Sequence, residues 1–229
     1  MIGIIGAMEE ELTELLRHTT NLTKTSLRHK TFYEGTIHNH NVVLALAGIG
    51  KVNAAITATL LFEHYDIDHL INIGVAGGQN GVTHKDIIIG TEILYHDVDV
   101  TKFDRYVHGQ IPGQTPTFIA DKDLVKLAEK AGKTEKLPVY LGKIASGDQF
   151  VYDKKPLKVI NNQYPDILAI EMEAAAIAHV CSHYDKPFLV LRSISDVIED
   201  YNQHVDFESF LSDAVKNVSK VLLDVIKSC

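Results

Sequence analysis

Met1-Ile2-Gly3-Ile4-Ile5-Gly6-Ala7, running into Met8-Glu9-Glu10-Glu11-Leu12-Thr13-Glu14-Leu15-Leu16, decides the fold class. The first run is short and apolar, as a buried strand is. The second sets Leu12, Leu15 and Leu16 at helical spacing over residues 9–18. The alternation continues along the chain. Residues 31–37 and 42–47 flank the polar turn His38-Asn39-His40-Asn41 and predict a hairpin. A helix is expected over 50–65 from Val52, Ala55, Ile56, Leu60 and Phe62. Residues 69–75 form an apolar strand ending in Ala76-Gly77-Gly78, and 86–94 a further β-rich run. Beyond a loop at 101–118, punctuated by Gly109, Pro112, Gly113 and Pro116, come a capped helix at 121–131 and strands at 139–145 and 167–170. An Ala-rich helix at 174–184 and a strand at 187–193 follow. The last helix is the clearest, because Phe207, Phe210, Leu211, Ala214, Val218, Val221, Leu222 and Val225 make one apolar stripe. Such alternation predicts an α/β domain whose helix-covered sheet is largely parallel, the hairpin adding an antiparallel part. No repeat or linker divides the chain, so residues 1–229 are expected to form a single domain.

The bulk properties exclude several classes. The chain has 229 residues, 45% of them apolar, enough for a sizeable core. With 22 basic against 30 acidic residues its net charge is −8. It therefore lacks the broad basic field that draws nucleic acid. Cys181 and Cys229 show neither disulfide nor zinc-finger spacing and read as reduced thiols. Met1–Ala7 has no basic leader, and no apolar run approaches ~18 residues, so a cytoplasmic protein with no membrane partner is expected.

Several places bear on chemistry. Gly3-Ile4-Ile5-Gly6 lacks dinucleotide spacing. Around Gly48-Ile49-Gly50-Lys51-Val52, Ala45 and Val52 stand where a phosphate loop needs Gly and Ser or Thr. Ile73-Gly74-Val75-Ala76-Gly77-Gly78 suits either close ligand approach or a plain tight turn. The Glu9-Glu10-Glu11 cluster with Glu14 is explained by the positive end of a helix dipole more readily than by catalysis, since structural charges outnumber catalytic ones. In Glu171-Met172-Glu173, one carboxylate suits a helix cap and leaves the other for a ligand. The apolar run 188–191 continues into Arg192-Ser193-Ile194-Ser195-Asp196, where Arg192 and Asp196 form either a structural ion pair or part of a site. His179 and His183 do not complete a metal motif, and His96-Asp97-Val98-Asp99 is weak as one.

Taken in order, Gly3–Glu11, Gly48-Ile49-Gly50-Lys51-Val52, Ala76-Gly77-Gly78, Tyr95-His96-Asp97-Val98-Asp99-Val100-Thr101, Ser146-Gly147-Asp148, Glu171-Met172-Glu173-Ala174 and Ile194-Ser195-Asp196 resemble the 5'-methylthioadenosine/S-adenosylhomocysteine nucleosidases, from the first strand to the last helix. The resemblance implies a three-layer α/β/α nucleoside phosphorylase-like fold around a mixed, largely parallel twisted sheet. It also implies a homodimer and hydrolysis of the N-glycosidic bond with no metal or cofactor.

By the same resemblance, Asp196 is general acid at adenine N7, a role that needs burial to raise its pKa. Glu11 is general base for water, and Glu173 binds the ribose hydroxyls and steadies the oxocarbenium-like cation. Phe150 stacks on adenine, the Val151 backbone reads its edge, and Ser195 supports Asp196. Met172, Ile49 and Gly77 border ribose and base, while Phe207 lines the alkylthio pocket. Arg192 orients the acidic groups at the substrate. The 101–118 loop lends Pro112 and Tyr106 to the neighbouring subunit's site. Val75 stands where some relatives carry a hydroxyl. The expected partners are small adenine nucleosides, with 5'-deoxyadenosine among them, and water. The acidic run after the first strand favours water over phosphate as nucleophile.

Overall fold

Ile2–Gly6 (β1) is buried from end to end. It runs parallel to His40–Leu46 (β4) on one edge and to His69–Gly78 (β5) on the other. Glu9–His18 (α1) and Lys51–His64 (α2) pack onto it, so an apolar run without alternation is what the site demands. The computed structural model describes residues 1–152, 154–198 and 203–229.

From β4 the sheet extends outward through Lys30–Ile37 (β3) to the edge strand Thr20–Leu27 (β2). On the other side β5 pairs with Phe188–Val197 (β10) and also with Ile167–Glu171 (β9), through Gly77↔Ile170 and Gly78↔Ala169. Strand β10 pairs with Ile87–Tyr95 (β6), β6 with Val139–Ser146 (β8), and β8 with β9. Five strands thus close a circuit, and Phe118–Ile119 (β7) adds to β6.

The expected largely parallel sheet is corrected here. Pairs β1–β4, β1–β5, β5–β10, β6–β8 and β8–β9 are parallel, but β2–β3, β3–β4, β5–β9, β6–β10 and β6–β7 are antiparallel. The segment between Gly78 and Ile87 is too short for a helical crossover, so β6 returns against β10 instead of following β5.

Lys122–Thr134 (α3) starts at Asp121, whose Oδ1 accepts from the N–H groups of Asp123 and Leu124, as the capped helix required. Gln203–Ser228 (α6) lies on β10 and β5, with α1 and α3 beside it, while α2 packs with Ala174–His183 (α5). In α6, Ala214, Val218, Val221, Leu222 and Val225 are all buried. No helix among the described residues is long and apolar enough to cross a membrane.

Three elements escaped the sequence reading, the two-residue β7 among them. Strand β2 is almost wholly exposed and polar, so it has no alternation to detect. Lys154–Gln163 (α4) has Pro156 in its first turn; Leu157 and Ile160 pack under it into a small core with Val151, Ile167, Ile170 and Ile198. Strand β10 also runs four residues past the expected Ser193, which carries Ile194–Val197 into the sheet.

Gly109 shows what the long loop needs. Its φ is +80°, and a methyl group there would collide with the Tyr95 carbonyl oxygen and the Tyr164 hydroxyl. Gly109→Ala is expected to lower stability by about 2 kcal/mol. Chemical denaturation would show this as a lower midpoint with an unchanged slope.

Candidate active site

The carboxyl ends of β1, β4, β5, β9 and β10 meet around one cavity of about 110 Å³. This is where α/β sheets bind ligands, because helix starts and strand ends gather there.

Glu11 enters from the first turn of α1. Glu9 and Glu10 face solvent, whereas Glu11 is only 3% exposed. Its Oε2 accepts from the N–H groups of Ala7 (2.7 Å) and Met8 (3.0 Å), and its Oε1 from that of Val75 (3.1 Å). The side chain is thus both a helix cap and a wall of the cavity. Burial pushes its carboxyl up, while the Arg192 charge and the three N–H donors pull it down; burial prevails. Gly74 makes room for it, since a methyl group there would lie 2.6 Å from Glu11 Oε1 and 3.5 Å from Arg192 Cζ.

The two carboxylates of Glu171-Met172-Glu173 divide as capping logic proposed. Glu171 Oε2 accepts from the N–H groups of Glu173 (3.0 Å) and Ala174 (2.8 Å) and so caps α5. It also takes Arg192 Nη2 at 2.6 Å, while Glu171 Oε1 accepts from the Ser146 hydroxyl. Glu173, 8% exposed, is left facing the cavity, and its Oε1 accepts from Gly50 N–H at 2.7 Å. Burial first, then the neighbouring Glu171 charge, raise its carboxyl above the ordinary 4.5.

Asp196, 1% exposed, accepts from the Ser195 hydroxyl at 2.7 Å through Oδ1. The mouth is apolar: Phe150 and Phe207 meet edge to face at 6.0 Å, with Ile49 beside them.

Glu11, Glu173, Asp196, Met172, Phe150, Ser195, Ile49, Gly77 and Phe207 all line this cavity. Val151 lines an adjoining recess together with Gly77, Phe150 and Asp196. One expected contact falls elsewhere. Arg192, 2% exposed, sits behind the cavity wall and gives its N–H groups to Asn72 Oδ1 (2.5 Å), Asn72 O and Glu171. It is a positioning group, since its Nη1 and Nη2 are bonded to Asn72, Leu191 and Glu171 behind the wall. Its ion-pair partner is Glu171, not Asp196. Pro112 and Tyr106 lie on the 101–118 loop away from the cavity of this chain.

Asn72 went unnoticed in the sequence, and Ser146 stood there only as part of a motif, with no role. Asn72 Nδ2 donates to Ile5 O at 3.0 Å, and Ser146 Oγ accepts from Ala175 N–H at 2.8 Å. A lone amide inside the apolar run 69–75 was the available signal, because a buried polar group must find partners. The weak metal candidate Asp97 has other work, holding Lys51 Nζ and Asp148 N–H.

A buried cavity faced by carboxylates from three distant segments, at the strand ends of a mixed α/β sheet, belongs to an enzyme of the phosphorylase superfamily; residues 1–227 match that family. The nucleosidase of Staphylococcus carnosus named for 5'-methylthioadenosine and S-adenosylhomocysteine is 42% identical over 229 residues, the whole of both chains. The crystal structure of the Neisseria meningitidis nucleosidase of the same name, in complex with methylthio-immucillin-A, is 38% identical. It superposes with a TM-score of 0.96, covering 100% of this chain and 99% of that one. The corresponding Colwellia psychrerythraea structure, in complex with adenine, is 35% identical with a TM-score of 0.94, covering 98% and 93%. The chain belongs to the 5'-methylthioadenosine/S-adenosylhomocysteine nucleosidase family.

The raised carboxyl of Glu173 means that the native state binds this proton more tightly than the unfolded chain. Ionised Glu173 therefore costs stability increasingly as pH climbs above 4.5. Glu173→Gln should melt above the wild-type protein at about pH 8, and the gain should shrink to nothing by about pH 4. Thermal melts across that range read it; a gain independent of pH would contradict the assignment.

Proposed function

We propose that this chain hydrolyses the N-glycosidic bond of 5'-methylthioadenosine and S-adenosylhomocysteine, and of 5'-deoxyadenosine, releasing adenine and the 5'-substituted ribose. Residues 1–229 act as one nucleosidase domain. The reading rests on one observation above the others: Glu11, buried in the cavity wall, occupies the N–H groups of Ala7, Met8 and Val75. Amides at a strand-to-helix turn are the natural seat of a phosphate. Here a carboxylate of the chain itself fills that seat, so a phosphate nucleophile meets negative charge where it needs donors. The anion that disfavours phosphate is also a base for water.

The mechanism follows from where the charges develop. As the C1'–N9 bond stretches, the ribose becomes cationic and electrons pass into the purine. Asp196, with Ser195 bonded to one of its oxygens, delivers a proton to N7 and makes adenine a neutral leaving group. Water adds to C1' from the opposite face and passes its proton to Glu11. Glu173 accepts hydrogen bonds from the ribose hydroxyls and lowers the energy of the cation. Burial raises the Glu11 carboxyl, and Arg192 with the three amides opposes the rise. Phe150 stacks on adenine, and Val151 reads its edge. Met172, Ile49 and Gly77 border ribose and base, and Phe207 meets the alkylthio group. No cofactor takes part.

The helix pair α2–α5 and the group α1–α3–α6 form the two outer layers of an α/β/α sandwich about a twisted sheet. A homodimer places the 101–118 loop, with Pro112 and Tyr106, over the partner subunit's site. The groove between α2 and α5, bordered by Val52, Ile111 and Val180, is an apolar surface suited to that contact. The enzyme serves methionine salvage and purine recycling in the cytoplasm.

Glu11→Gln and Asp196→Asn should each cut turnover by about two orders of magnitude or more while nucleoside binding persists. Adenine release from 5'-methylthioadenosine in phosphate-free buffer should proceed at full rate. Strict dependence on added phosphate would overturn the hydrolytic reading, and near-normal turnover in either variant would remove that residue from the mechanism.

A further inference from the structure

Three of the motif segments have side chains with no part in the mechanism: Lys51, Asp97 and Asp148. The structure joins them in a closed ring. Asp148 Oδ1 accepts from Lys51 N–H at 2.8 Å, Lys51 Nζ donates to Asp97 Oδ2 at 2.6 Å, and Asp148 N–H donates to that same Asp97 oxygen at 2.9 Å. Burial pushes the Asp97 carboxyl up, but the Lys51 ammonium and the Asp148 N–H outweigh it and hold Asp97 below the ordinary carboxylate range.

The ring encloses the start of α2, whose cap residue Gly50 has no side chain to satisfy the free N–H groups. Two distant carboxylates do so instead. Asp148 takes the N–H of Lys51, and Glu173 takes that of Gly50. Gly50 sits at φ +97°, and a methyl group there would approach Asp148 Oδ1 to 3.1 Å, so the Asp148 carboxylate lies directly against the Gly50 backbone. The N–H that orients Glu173 is therefore one residue from the N–H that Asp148 holds.

We propose that Asp148, secured by Lys51 and Asp97, is a positioning residue for the sugar end of the cavity, fixing the first turn of α2 so that Gly50 N–H aims the Glu173 carboxylate at the ribose hydroxyls. The proposal rests on the reading that Glu173 meets the ribose. It separates two halves of one ligand. Adenine is met by Phe150, Val151 and Asp196, none of which bonds to the ring, whereas only a ribose-bearing ligand draws on Glu173.

The test uses the full chain with Asp148→Ala, Asp148→Asn and Asp97→Asn. Calorimetry would give Kd for adenine and for the 7-deaza analogue of 5'-methylthioadenosine, which carries the ribose but has no N7 to protonate. Asp148→Ala should weaken the analogue about tenfold, the scale of one lost hydrogen bond to a charged group, and leave adenine within about twofold. Asp148→Asn keeps an oxygen acceptor for Lys51 N–H and should recover most of the loss. Parallel weakening of both ligands, an unchanged analogue Kd, or no rescue by Asn would each overturn the proposal. Should the Ala variant not fold, Asp97→Asn decides instead: about a threefold loss for the analogue alone supports the clamp, and no loss overturns it. Wild-type protein that binds the analogue yet releases no adenine from 5'-methylthioadenosine would defeat the functional reading while leaving this comparison intact.

Discussion

A guanidinium shut away from water must have its charge answered by its neighbours, and Arg192 is answered by Glu171 and by both oxygens that Asn72 offers it. Taking such an ion out of water costs several kcal/mol unless partners meet it closely. The reverse dependence matters as much. Glu11, Glu171 and Glu173 border one buried cavity, and three carboxylates with no cation among them would be driven to take up protons. Arg192 draws both Glu11 and Glu173 downward against burial. Glycine at 74 and asparagine at 72 then follow from the need to house that side chain and satisfy it.

Helix starts supply the other half of the electrostatics. An N-terminal turn leaves N–H groups without partners and so attracts carboxylates. In this fold α1, α2 and α5 all begin at the same end of the sheet. Glu11 holds the turn before α1, Glu173 and Asp148 the start of α2, and Glu171 the start of α5. Capping and site building are thus one arrangement, in which carboxylates drawn in to satisfy backbone donors end up around a common cavity. Only those with an oxygen facing inward go on to serve chemistry.

Closing the strand circuit makes these groups converge. Strand β9 touches β5 only at Gly77 and Gly78, and that contact brings Glu171 and Glu173 opposite Asp196. Side chains at either glycine would strike Ile198 or Ile194. The pairing that turns the sheet back on itself therefore depends on two residues with nothing to collide.

Local pattern carried much of this protein. Apolar runs and three-four spacing placed most strands and helices, because burial imposes those periods on any chain. The expectation that one of Glu171 and Glu173 would cap a helix needed only their position before an Ala-rich run. Strand β2 stayed hidden because its exposed polar residues carry no period. The balance of parallel and antiparallel pairs stayed hidden because it depends on which strands meet after the chain returns. Whether Glu11 was only a cap, and which carboxylate Arg192 would face, lay beyond the sequence as well. Sequence spacing records what each segment must bury, whereas the partners of a buried charge are chosen by distances across the fold, here as many as 123 residues apart between Gly50 and Glu173.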